Sequence, residues 1–380
     1  MKKCVFILVC ILCCLGLQQS VSASEDADTY VQEMMQQLDL SELEGYLEQN
    51  EITEDISFSE LVQGLLKGEI SVDGEELWEK VVTVLWGELS KSKSLLMQVL
   101  LLAVCCSFLH NFSDIFRNTY IADMCFLFIY MEIIILLLRS FSIMHHLVTD
   151  TLQQLVDFMN MLIPIFCMVL SLGMANLSAA GFYELAFLVI YLVQWLMLMV
   201  LVPAVQIYVV MEFINHFMPG EKLQRMCELL EDGVRWCLKF MVAVVVSLNV
   251  IQSMVAPAID RLKVSSVSKT LQMIPGIGNA TGALSEMLLG AGMVMRNSVG
   301  VAGIVILAMI LSVPVIKLCL LSLLYKITAA VTEPISDKRI SGSIQGIYTG
   351  SVLMQKIIFT AVTLFVITLA MISVSSSFIN

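Results

Sequence analysis

This sequence predicts an all-α fold: a polytopic membrane helix bundle with about seven spans, preceded by a small helical N-terminal extracytoplasmic region. Three observations carry that expectation. The chain is 58% hydrophobic and only 14% charged, with a mean hydropathy of +0.87, whereas soluble domains carry roughly 25% charged residues. Its apolar residues fall in dense blocks of spanning length separated by short polar stretches. Its charge is segregated: the net charge of -12 arises because residues 24–94 hold 18 Asp/Glu against 4 Lys/Arg, while residues 95–380 hold 15 of each. Acidity concentrated in one small region argues against nucleic-acid binding, which needs a basic footprint.

Residues 1–23 read as a signal peptide. Lys2 and Lys3 form the basic start, an apolar run follows from Cys4 to Leu17, and Val21-Ser22-Ala23 offers small residues for cleavage. The run is shorter than the ~20 residues a span needs, which leaves an uncleaved signal anchor as the alternative. Residues 24–94 carry helix signals. Val31, Met34, Met35 and Leu38 are spaced along one helical face, and Ser41 with Glu44 and Ser57 with Glu60 match the capping box. A third segment from Asp73 places Leu77, Val81, Val84 and Leu85 on one face, with Trp78 and Trp86 nearby. The expectation is an acidic helical extracytoplasmic region, with an amphipathic linker as the plainer reading.

Residues 95–380 form the polytopic membrane domain. Hydrophobic blocks stand at about 95–110, 121–138, 158–177, 185–214, 237–256, 299–325 and 353–377. Pro203 predicts a kink in the fourth, and Pro314 a break in the sixth. The basic clusters at 222–239, 261–269 and 326–339 alternate sides in a seven-span model, so the positive-inside rule does not orient it. Seven spans after an exported N-terminus place the C-terminus in the cytoplasm.

The Gly-rich stretch 272–300, "QMIPGIGNATGALSEMLLGAGMVMRNSVG", predicts a broken or re-entrant segment. Pro275, Gly276 and Gly278 form a backbone that cannot continue a helix cheaply, so a break is expected there. Beyond them Gly278 and Gly282 form a G-x-x-x-G that lets backbones approach inside a membrane. Glu286 and Arg296 make a simple lipid-facing helix a poor fit, so backbone buried in protein or lining a conduit is expected. A surface amphipathic helix running into the sixth span is the competing reading.

Ionisable residues inside spans are costly and are functional candidates by default. Glu132 lies mid-block, about 10 Å along the axis from Arg139, and Lys317 follows Pro314. Glu184, Glu212 and Lys356 sit at block ends where snorkelling suffices, Tyr325 and Lys326 read as interface anchors, and His145-His146 as a wet interface. The candidate conduit or helix-packing residues are thus Glu132, Pro275, Gly276, Gly278, Gly282, Glu286, Arg296 and Lys317. No G-x-x-x-x-G-K-[ST], H-E-x-x-H or G-x-S-x-G is present, so no catalytic residue, cofactor or metal is assigned and an enzyme is not expected. Of 11 cysteines, four leave with the signal and the rest read as inert apolar residues.

In order along the chain, "FSELVQGLLKGE", "NFSDIF", "IPGIGNATGALSEMLLGAGMVMRNSVGVAGIVIL" and "LLYKITAAVTEPISDKRI" resemble the stage III sporulation protein AE family of endospore-forming Firmicutes. The resemblance is sharpest at Arg296 to Gly303 and at Tyr325-Lys326 through Glu333-Pro334 to Arg339-Ile340. It implies a permease-like subunit of the secretion-like channel complex between mother cell and forespore. The subunit would sit in the mother-cell membrane around the forespore, with its N-terminal region in the intermembrane space. Implied partners are the other stage III sporulation A proteins: a separate ATPase, small membrane subunits and ring-forming proteins, and through these the forespore protein Q. A self-contained secondary transporter with its site near 275–296 is the alternative; a membrane enzyme is a distant third.

Overall fold

Backbone amides placed in hydrocarbon must find partners within the protein, and an α-helix satisfies them within its own segment. In the computed structural model every described element is helical. It describes residues 43–45, 47, 58–67, 87, 97, 101, 119–172, 177–218, 222–271, 278–334 and 338–374. The elements are α1 (Phe58–Lys67), α2 (Thr119–Leu172), α3 (Leu177–Leu196), a π turn (Met197–Leu201), α4 (Val202–Phe217), α5 (Gln224–Leu271), α6 (Gly278–Thr332) and α7 (Lys338–Val374). Among the described residues five segments are long and apolar enough to cross a membrane: Leu127–Val169, Phe187–Phe217, Gln224–Ile251, Asn297–Thr332 and Lys338–Met371. This is a helical membrane protein.

The block at 121–138 and residues 158–172 of the next block are not separate helices but parts of α2. Polar residues between them do not break it, because the apolar periodicity persists underneath. Leu137, Phe141, Met144, Val148, Leu152, Leu155 and Phe158 are all buried, three or four residues apart, beneath a polar outer face. The block at 95–110 and the signal peptide lie outside the described residues, Met97 and Leu101 apart.

Proline acts differently at Pro203 and at Pro314. Pro203 has no N–H and its ring crowds the carbonyl four residues back. The chain widens just before it into the π turn, where the N–H of Val202 bonds the carbonyl of Met197. Pro314, expected to break the sixth block, lies inside an unbroken α6. Just before it the Ser312 hydroxyl donates to the Met309 carbonyl at 2.7 Å.

α7 is the central rod, packing on α2, α3, α4, α5 and α6. α1 docks on α6 through Phe58, Leu61 and Val62, all buried in the same core as Leu43 and Leu47. Polar bonds fasten the rods. Asn249 of α5 donates to Thr368 of α7 at 2.8 Å, and Gln355 of α7 donates to Cys319 of α6 at 2.9 Å. Tyr325, expected at an interface, is instead buried and hydrogen-bonded to Ser140 of α2. Interhelical bonds of this kind contribute about 1 kcal/mol. Replacing Tyr325 with Phe should therefore lower unfolding stability in detergent by about 1 kcal/mol, and adding Ser140→Ala should cost little more; two independent, additive losses would show that the pair does not couple.

Candidate functional site

Three glycines spaced one helical turn apart place α7 against α4. A Cβ added to Gly342 would collide with the His216 imidazole, one on Gly346 with the Glu212 side chain, and one on Gly350 with Val209. Residues four apart share a helix face, so Gly342, Gly346 and Gly350 form a continuous groove. Val209, Glu212 and His216 form the matching ridge.

The seam buries polar groups. Glu212, expected to snorkel from a block end, is half-buried, and its Oε2 atom is sealed with no hydrogen-bond partner among the described residues. The correction has a physical cause: with no side chain at Gly346, the α7 backbone packs directly against the Glu212 side chain and covers its Oε2. The Cys227 thiol of α5 lies within hydrogen-bonding reach of that carboxyl, and the Tyr208 hydroxyl reaches Thr349 of α7. His216 bonds through Nδ1 to the Glu212 carbonyl at 2.8 Å. A carbonyl only accepts, so Nδ1 carries a proton there, and the Nε2 edge of the ring faces Gly342.

Flanking contacts fix the ridge. Buried Asn215 accepts the Leu223 N–H at 2.9 Å and ties the end of α4 to the start of α5. Ser343 donates to the Arg339 carbonyl at 2.8 Å, and its Oγ shares a 3.0 Å hydrogen bond with the Tyr130 hydroxyl of α2. The Tyr130 ring stacks on Phe217, with centroids 5.8 Å apart. Such a site can bind a proton or a small cation, or act as a register lock between helices. Among the described residues no cluster of three or more His, Cys, Asp or Glu could hold a metal.

The residues singled out from the sequence lie elsewhere. Glu132 is exposed on α2, and Lys317 is half-buried on α6. Gly278, Gly282, Glu286 and Arg296 lie along the first turns of α6, which runs as regular helix from Gly278 into the sixth block. Pro275 and Gly276 fall outside the described residues, between the end of α5 at Leu271 and the start of α6. Glu286 and Lys317 stand about 45 Å apart along one helix, so they do not share a site. His145, expected at a wet interface, is half-buried with its Nδ1 sealed and unpartnered. The seam itself was written in the sequence as G-x-x-x-G-x-x-x-G in "SGSIQGIYTGS" and as Glu-x-x-x-His in α4.

The sequence profile of the stage III sporulation protein AE family matches residues 56–376, from just before α1 to the last turn of α7. The chain belongs to the stage III sporulation protein AE family. It is 22% identical over 271 residues to the stage III sporulation protein AE of Bacillus subtilis (strain 168), covering 71% of this chain and 68% of that protein. No solved structure matches it. The family match takes in both the α1 docking helix and the whole α4–α7 seam. Overpacking a closed interface costs about 1–3 kcal/mol or more. Gly346→Ala should thus destabilise the protein by about 2 kcal/mol, whereas Gly233→Ala, with nothing within 4 Å of the added methyl, should stabilise α5 by up to about 1 kcal/mol; equal effects in thermal unfolding would exclude the tight seam.

Proposed function

We propose that this chain is a membrane subunit of the multiprotein complex that joins the mother cell to the engulfed forespore, where it scaffolds or forms part of a conduit. The observation that carries this reading is the family match across residues 56–376, supported by five apolar helices of spanning length. Its place is the mother-cell membrane around the forespore, with residues 24–94 facing the intermembrane space. Its partners are the other stage III sporulation A proteins, with energy supplied by a separate ATPase. The rigid α4–α7 seam suits a subunit that holds a fixed shape for others to assemble on.

The buried Glu212 carboxyl also suits a self-contained transporter, and the two readings part on reconstitution. A transporter moves solute in vesicles containing this chain alone and slows with Glu212→Gln; a complex subunit is inert alone. Deleting the gene in the source organism should abolish heat-resistant spores, and the unaltered gene in trans should restore them. Normal spore counts from the deletion strain would end the sporulation reading.

A further inference from the structure

The outer face of α2 is polar where a lipid-facing helix would be apolar. Ser142, His146, Asp150, Gln153, Asp157 and Asn160 follow one another at intervals of three or four residues and so share one face. That face lies opposite the buried line from Phe141 to Phe158. All six are exposed except Asp157, which is half-buried and accepts a hydrogen bond from Gln153 at 3.0 Å. From Ser142 to Asn160 the stripe runs about 27 Å at 1.5 Å per residue, close to the hydrocarbon thickness of about 30 Å.

Contacts fix the height of the stripe in the bundle. Phe141 of α2 and Val209 of α4 both lie against the Cβ position of Gly350 in α7. Phe166 of α2 meets Phe187 of α3, with ring centroids 6.0 Å apart. The rod from Phe187 to Val209 therefore runs alongside α2 from Phe166 back to Phe141. It carries no Asp, Glu, Lys or Arg over about 33 Å, and it turns Leu188, Leu192, Trp195, Met199 and Ile207 outward, each at least half exposed. Lipid suits that side of the bundle. At the same height α2 presents two aspartates, and a charge held in hydrocarbon is costly. Lysine and arginine escape by snorkelling on long stems, which aspartate lacks, so lipid does not suit the α2 side.

We propose that a second copy of the chain, in the same membrane orientation, covers this face of α2 and holds water between the two polar stripes. Close dry packing is excluded by the residues themselves. Where helices of this protein touch directly, glycines clear the way, whereas residues 139–160 hold no glycine or alanine. Beyond the stripe the same face turns apolar, with Phe128, Met131 and Ile135 exposed at one end and Met168 at the other. Rotation about the membrane normal keeps every residue at its own height. A second copy thus sets apolar end against apolar end and polar middle against polar middle, the self-matching that a two-fold interface requires.

Two probes in the full chain, reconstituted in dilute phosphatidylcholine vesicles, test the contact and the water separately. Phe128→p-benzoylphenylalanine should give on irradiation an adduct of twice the chain's mass, and Leu188→p-benzoylphenylalanine only lipid adducts. Both positions are exposed, at 73% and 62%, so neither probe disturbs the core. Lipid adducts alone from Phe128, or chain dimers in equal yield from both positions, overturn the second copy; so does an adduct in cells that joins Phe128 to a different protein. The nitrile of Gln153→p-cyanophenylalanine should absorb at the higher frequency of a hydrogen-bonded, hydrated group, and that of Leu192→p-cyanophenylalanine at the lower, dry frequency. Equal frequencies overturn the water-filled stripe.

Discussion

Direct contact between α7 and the side chains of α4 is the constraint on which the remaining geometry depends. Three glycines on one face leave no Cβ opposite Val209, Glu212 and His216, so these side chains pack onto bare backbone. α7 also touches α2, α3, α5 and α6, and fixing it against α4 fixes the height of each of them. The buried carboxyl of Glu212 is a consequence of that closeness. A larger residue on α7 would open a path to water and relieve it, at the cost of the packing that sets the register.

Burying an acid without full hydrogen bonding is expensive, and the surrounding structure is built to tolerate it. Tyr130, Ser343 and Asn215 fasten the same end of the bundle with geometric bonds that leave little room for α4 to slide. At the other end of the α4 rod the helix loosens into the π turn ahead of Pro203. One turn before it, Gln194 is buried at 1% exposure, with both amide atoms unpartnered among the described residues. Close packing at the seam thus gives way to an irregular turn further along the α3–α4 rod.

Much of the fold was legible because membrane helices announce themselves by composition. The blocks at 185–214, 237–256 and 299–325, and residues 353–374 of the last, lie within described helical rods, and the motifs quoted for the family resemblance fall inside the matched region. The site was less legible. Glycine spacing was read at Gly278 and Gly282, where conspicuous glycine density drew attention, while the spacing at Gly342, Gly346 and Gly350 lay unremarked in a polar-looking helix start. A repeat of small residues states only that a backbone face is bare; whether another helix occupies it depends on the chain far away in sequence.

By itself, then, the sequence determined that this is a membrane-embedded bundle of helices of this family, because apolar run length and motif order are local properties. Only the tertiary structure decided that two apolar blocks form one rod, that Pro314 is absorbed and Pro203 is not, and that Glu212 is sealed while Glu132 is exposed. Each of these depends on which neighbour lies across the interface. Hydrophobicity states that a segment will be buried, but the partner backbone determines whether a given side chain has a path to water.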